Sequence, residues 1–179
     1  MQYLAKIMRK LERTPHTKPE DVFLELPFGE QILLWGIRIW VCSYKNNSNA
    51  QNVLRLSFAN VGIPSAHTEL DAMMGIITVA GYGILDVRCP SCVKISADEM
   101  RLMAAIAAWQ HGISQHDGDI YLECWARPAT LRILRTPARL LAKSLKKGGL
   151  LIRPRPWSLS PLLPNRQSAS IGLQSDTIN

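Results

Sequence analysis

The sequence predicts an all-α fold, an irregular bundle of six or seven helices followed by a flexible basic C-terminal tail. Three observations carry this. Apolar residues recur at helical spacing through most of the chain, no segment shows strand alternation or a hairpin signal, and one helix start carries a full capping signature. With 179 residues and 47% hydrophobic content the chain is long enough for one domain with a core, taken as residues 1–150. Residues 151–179 shift to Pro, Ser, Leu, Asn and Arg, with Pro154, Pro156, Pro161 and Pro164 close together, and are read as the tail unless Trp157 docks.

Met1 to Arg13 reads as a short amphipathic helix with Leu4, Ile7, Met8 and Leu11 on one stripe, ended before Pro15. Thr14 to Leu26 is a connector. Phe28 to about Lys45 is expected to be the central helix. It carries Phe28, Ile32, Trp35, Ile39 and Cys42 on one face and Leu33, Ile37, Trp40 and Tyr44 on a second, so it packs on both sides. Gln31, Arg38 and Lys45 recur every seven positions and are read as its narrow solvated strip. Asn46 to Asn49 is a polar turn, Ala50 to Val61 a helix stopped by Gly62 and Pro64, and Ser65 a cap for a further helix to about Ala80. Gly81 and Gly83 break that pattern, and Ile84 to Ile95 is a loop centred on Cys89-Pro90-Ser91-Cys92.

Ser96-Ala97-Asp98-Glu99 is the capping box, in which serine oxygen and glutamate carboxylate each satisfy an otherwise orphaned amide. It starts a helix at Ala97 that should run to about Gln110 and end at Gly112. A shorter helix is expected from about Asp117 to Trp125. Pro128 opens the next helical stretch, and Thr136-Pro137 reads as a cap and first-position pair for a second one ending at Gly148.

Charge is distributed unevenly. Ten of the 21 Lys and Arg residues lie between Cys124 and Ser175, a stretch without Asp or Glu, whereas Met1 to Glu123 holds 11 basic and 13 acidic residues. The net charge of +7 is therefore local, and a segregated cationic field attracts nucleic acid, anionic membrane or an acidic protein face. Arg132, Arg135, Arg139, Lys143 and Lys146 recur at spacings of 3, 4, 4 and 3. At about 100° per residue they share one sector of roughly 80°, and Lys147 adjoins it. Leu134, Ala138, Leu141 and Leu145 lie opposite, and no acidic residue stands three or four positions away to neutralise the stripe. An ordinary solvated helix face is the competing reading.

Other classes are disfavoured. The longest uncharged, largely apolar run, Ala72 to Leu85, has 14 residues where a bilayer span needs about 20, so no membrane span is expected. A helix lying on lipid would want large aromatics on its apolar side, and here that side is Leu, Ile and Ala. Met1 to Glu12 lacks the run and cleavage site of an export signal, and four cysteines then fit a reducing cytoplasm. A helix-turn-helix across Ala108 to Ser114 would place Asp117, Asp119 and Glu123 against phosphates.

Cys89-x2-Cys92 with His111-x4-His116 has Cys2His2 spacing, but the intervening helix would hold the two pairs about 20 Å apart. A half-site completed by Cys42, Cys124 or a second protomer is a comparable alternative, and a redox Cys-x-x-Cys is a further one that lacks the preceding strand such a motif has. The bland reading is a Pro-containing turn with small apolar thiols. Trp35 and Trp40 bracket Arg38 but point about 140° apart on a helix, so they are assigned to the core. His111, His116, Asp117 and Asp119 form a polar turn without the order of a calcium loop. No Gly-rich phosphate loop, nucleophile elbow or His-Glu-x-x-His is present, and no catalytic residue, metal ligand or cofactor site is assigned.

The expected function is that of a non-enzymatic interaction or regulatory protein of the cytoplasm. It would hold an acidic protein partner on Arg132, Arg135, Arg139, Lys143, Lys146 and Lys147, helped by Arg153 and Arg155. Nucleic acid bound through the same cations is the alternative, and metal or redox chemistry at Cys89 and Cys92 the third reading. Apolar sides on several helices are compatible with a homodimer.

Overall fold

A computed structural model describes residues 22–112 and 116–154. The helix expected over Met1 to Arg13 and most of the tail, with Arg155 and Trp157, lie outside the described residues. Within them a 3-10 turn at Phe23–Glu25 precedes six α-helices: α1 Phe28–Lys45, α2 Gln51–Asn60, α3 Ala66–Ala80, α4 Ala97–His111, α5 Asp119–Leu122 and α6 Pro128–Lys147. No strand forms among the described residues, and Val22 meets Lys94 in an isolated antiparallel bridge. The all-α bundle is the fold that the apolar spacing predicts.

One hydrophobic core runs from Leu26 to Ile152. α1 contributes Leu33, Leu34 and Ile37 and meets α2 and α3 at Gly36. A Cβ at Gly36 would stand 2.7 Å from Cζ of Phe58 and 3.2 Å from Cδ2 of Leu70, so the missing side chain lets three helices converge. The most enclosed helix is α4, because Leu102 through Ala107 are all buried. α1 instead keeps Ile32, Trp35 and Ile39 half-buried at its margin, so the central position expected for it belongs to α4. The small side chains of Ala104, Ala105 and Ala107 leave room for neighbours on every side of α4.

α3 and α6 form the most extensive helix pair and run antiparallel. Ser65 Oγ lies 3.2 Å from Ser144 Oγ at one end, and Thr130 Oγ1 donates to the Ala80 carbonyl at 3.1 Å at the other. Ser65 makes no side-chain cap bond, its hydroxyl being turned to α6. The expected cap and restart at Thr136-Pro137 is corrected: α6 passes through Pro137 as one helix. Proline removes a single backbone bond there, while Leu134, Ala138 and Leu141 on either side of it are fully buried and hold the helix against the core. α5 is shorter than expected, because Trp125 and Ala126 amides both turn back to the Leu122 carbonyl before Pro128 opens α6.

Two buried polar side chains tie the ends of the bundle. Gln110 donates from Nε2 to the Leu150 carbonyl at 3.1 Å and accepts from the Ile152 amide at 2.8 Å. Glu30 accepts from the Arg153 amide at 2.9 Å. The chain after α6 is thereby fastened to α1 and α4, with Ile152 at 0% exposure.

Arg38 is the largest departure from expectation. Read as part of a solvated strip, it is fully buried and paired with Glu99, Nε to Oε1 at 2.7 Å and Nη2 to Oε2 at 3.0 Å. Its remaining donors reach the carbonyls of Cys92 and Lys94, and the Phe23 ring lies 5.1 Å from its guanidinium carbon. Glu99 is the same residue that closes the capping box: it accepts from the Ser96 amide at 2.9 Å while Ser96 Oγ accepts from the Glu99 amide at 3.0 Å. The Arg88 amide adds a fourth donor to that carboxylate at 3.0 Å. A charge removed from water is tolerated only when it is paired and hydrogen-bonded, and here every guanidinium nitrogen and both carboxylate oxygens have partners.

Candidate protein-interaction surface

α6 presents Leu131, Leu134, Ala138, Leu141, Ala142 and Leu145 to the core and its Lys and Arg residues to the other side, which is the amphipathic division the spacing predicts. Arg132, Arg139, Lys143, Lys146 and Lys147 are exposed, and Arg135 is half-buried. The six residues named from the sequence share a helix but not one electrostatic state.

Arg135 is already neutralised. Its Nε donates to both carboxylate oxygens of Asp119, at 2.9 and 2.8 Å, and its Nη2 joins Oδ2. These hydrogen bonds raise its pKa above the ordinary guanidinium value, with burial opposing. Asp119 is buried and also receives Nδ1 of His116 at 3.1 Å. The expectation of an uncompensated stripe therefore fails at this position. Helix spacing rules look three or four residues away, and Asp119 arrives from 16 positions upstream.

Lys146 is also engaged, its Nζ donating to the Gln110 carbonyl at 2.6 Å. A cation at the carbonyl end of α4 is favourably placed against the helix dipole. Arg153, counted as a helper, contacts buried Glu30 at 3.3 Å. That leaves Arg132, Arg139, Lys143 and Lys147 exposed and in no ion pair among the described residues. Beside them two apolar side chains stand in solvent, Ile133 at 56% and Leu140 at 46% exposure.

The other sequence candidates resolve differently. Cys89 and Cys92 are joined in a disulfide with Cα atoms 5.2 Å apart, which corrects the expectation of free thiols in that turn. A two-residue gap closed by a tight turn, Cys92 amide to Cys89 carbonyl at 3.0 Å, brings the two sulfurs within bonding reach. Cys42 and Cys124 are free, and burial pushes the Cys124 thiol up, with Arg101 opposing. Among the described residues no group of three or more His, Cys, Asp or Glu side chains could hold a metal ion. His111 Nε2 lies 2.9 Å from the Ile152 carbonyl oxygen, and His116 is turned to Asp119.

Trp40 stacks on Tyr44 with centroids 5.4 Å apart and donates from Nε1 to Asp71 at 2.7 Å. Trp35 and Trp40 therefore do not enclose Arg38 between them. Ile113 and Ser114 of the would-be helix-turn-helix lie outside the described residues. The helix after it, α5, has four residues and is committed to α6 through Asp119, which leaves no reading helix to lay against bases. No described helix is long and apolar enough to cross a membrane.

The chain is an all-α bundle whose last helix exposes Arg132, Arg139, Lys143 and Lys147 together with Ile133 and Leu140. Compared with protein-family models, curated proteins and solved structures, the chain matches none.

Proposed function

We propose that this chain is a non-enzymatic interaction protein that binds an acidic protein partner on the exposed face of α6. The supporting observation is the set Arg132, Arg139, Lys143 and Lys147, charged, exposed and without an ion pair among the described residues. Ile133 and Leu140 within that face favour a protein over a phosphate backbone, because exposed aliphatic groups gain from burial against side chains and gain little against a charged polymer. A cytoplasmic location belongs to the same proposal. Free Cys42 and Cys124 fit a reducing compartment, and there the Cys89–Cys92 bond would be open to exchange with cellular thiols.

The test is the double variant Arg139→Glu/Lys143→Glu, two exposed positions whose change leaves Asp119 and Gln110 with their partners. Immobilised wild-type protein is expected to retain acidic proteins from a cell extract, identified by mass spectrometry, and the variant to lose them by about tenfold or more. Unchanged retention refutes the reading. Tight capture of a DNA duplex with a steep salt dependence, and of no protein, transfers the face to nucleic acid.

A further inference from the structure

A groove of about 430 Å³ runs between the C-terminal end of α4, at Trp109 and Gly112, and the second half of α6, at Arg139, Leu140, Lys143 and Lys146. We infer that it is the anchor pocket of the α6 surface: it takes one large apolar side chain of an acidic peptide whose flanking carboxylates pair with Arg139 and Lys143. The inference rests on the reading of α6 as an acidic-partner surface and adds the chemistry of the segment bound.

The walls differ in kind. Trp109 is half-buried and its ring lies against Gly118, where a Cβ would come within 2.4 Å of Cε2, so the indole is backed by main chain and held in place. Leu140, at 46% exposure, lines the same groove. A concavity lined by aromatic and aliphatic side chains is where apolar anchors contribute most to binding.

On the rim, Arg139 and Lys143 are one helical turn apart, about 6 Å along the axis. That separation matches carboxylates four positions apart on a helix or two apart on an extended strand. Both are exposed and unpaired among the described residues, so a ligand carboxylate does not have to displace an existing partner. The third cation of the groove, Lys146, is spent on the Gln110 carbonyl.

The same geometry disfavours a phosphate chain. Arg139 and Lys143, in no ion pair among the described residues and with Leu140 between them in sequence, offer a polyphosphate few contacts and an apolar wall it cannot use. A peptide with mixed acidic and apolar character uses both.

The experiment compares two fluorescein-labelled peptides of equal charge, Glu-Glu-Phe-Leu-Glu-Glu and Glu-Glu-Ser-Ser-Glu-Glu, by fluorescence anisotropy on the full chain. The apolar peptide is expected to bind about tenfold or more tighter, the gain from burying one large side chain. Leu140→Ser should remove most of that advantage without changing the weaker peptide, and Lys143→Glu should weaken both. Thermal melting checks that each variant is folded, and the two-peptide comparison on the unaltered protein needs no variant. Equal binding of the two peptides, with both weakened by Lys143→Glu, overturns the anchor pocket and leaves the acidic-partner reading in place. Binding of neither peptide, whether or not a DNA duplex is retained, overturns the acidic-partner reading itself.

Discussion

Arg38 and Arg139 are both cations on a long helix of the bundle, yet the first is sealed in the core at 0% exposure and the second stands in solvent. The difference lies in what surrounds each one. Arg38 has Glu99 from the start of α4 and two main-chain carbonyls from the loop after Cys89, so each of its guanidinium nitrogens has a partner. Arg139 has no such neighbours among the described residues and faces the groove beside Trp109. A buried cation with its partners inside the molecule holds helices together. An exposed one without partners is free to meet another molecule.

The comparison can be broken most severely at its buried end. Arg38→Met removes one member of a desolvated pair and leaves Glu99 without its counter-charge, and the expected loss is about 3–5 kcal/mol in denaturant unfolding. Replacing both, Arg38→Met with Glu99→Leu, should cost less than the two single changes summed, since no orphaned charge remains; additive losses would mean that the pair is not coupled. Glu99 also closes the capping box, so part of the single-variant loss is expected to appear as fraying of the first turn of α4 in hydrogen exchange.

A smaller effect is expected at the loop that carries the carbonyl partners. Cys89→Ser with Cys92→Ser opens a short ring, for which chain-entropy reasoning gives roughly 2 kcal/mol at most. The Cys92 carbonyl remains in place to accept from Arg38. A loss as large as that of Arg38→Met would mean that the disulfide, and not the ion pair, organises this corner. The smallest stability change belongs to the exposed end. Arg139→Glu/Lys143→Glu should shift unfolding by less than about 0.5 kcal/mol, because both side chains are exposed and neither is in an ion pair among the described residues. A large shift there would show that the face is covered in the folded protein.

What could be read in advance followed the local rules closely. The capping box placed the start of α4 at Ala97 to the residue, because both of its hydrogen bonds lie within four positions of sequence. The Leu and Ala stripe of α6 predicted which side enters the core. Arg38 misled because a seven-residue recurrence of polar side chains reads as a wet strip whether or not an acid waits across the fold. The one available signal was the neighbourhood of Arg38, with Ile37 and Ile39 beside it and few polar residues on either flank, where a lone charge is better explained by a partner than by water. Arg135 had no signal of that sort, since Asp119 belongs to a different helix.

The approximate places of α1 to α4, the capped start of α4 and the two-sided character of α6 were determined by the sequence alone, because each depends on residues within a few turns of one another. Which cations are spent and which remain free was decided only by the tertiary structure. Charges interact through space, and the carboxylates that quench Arg38 and Arg135 reach them from 61 and 16 positions away.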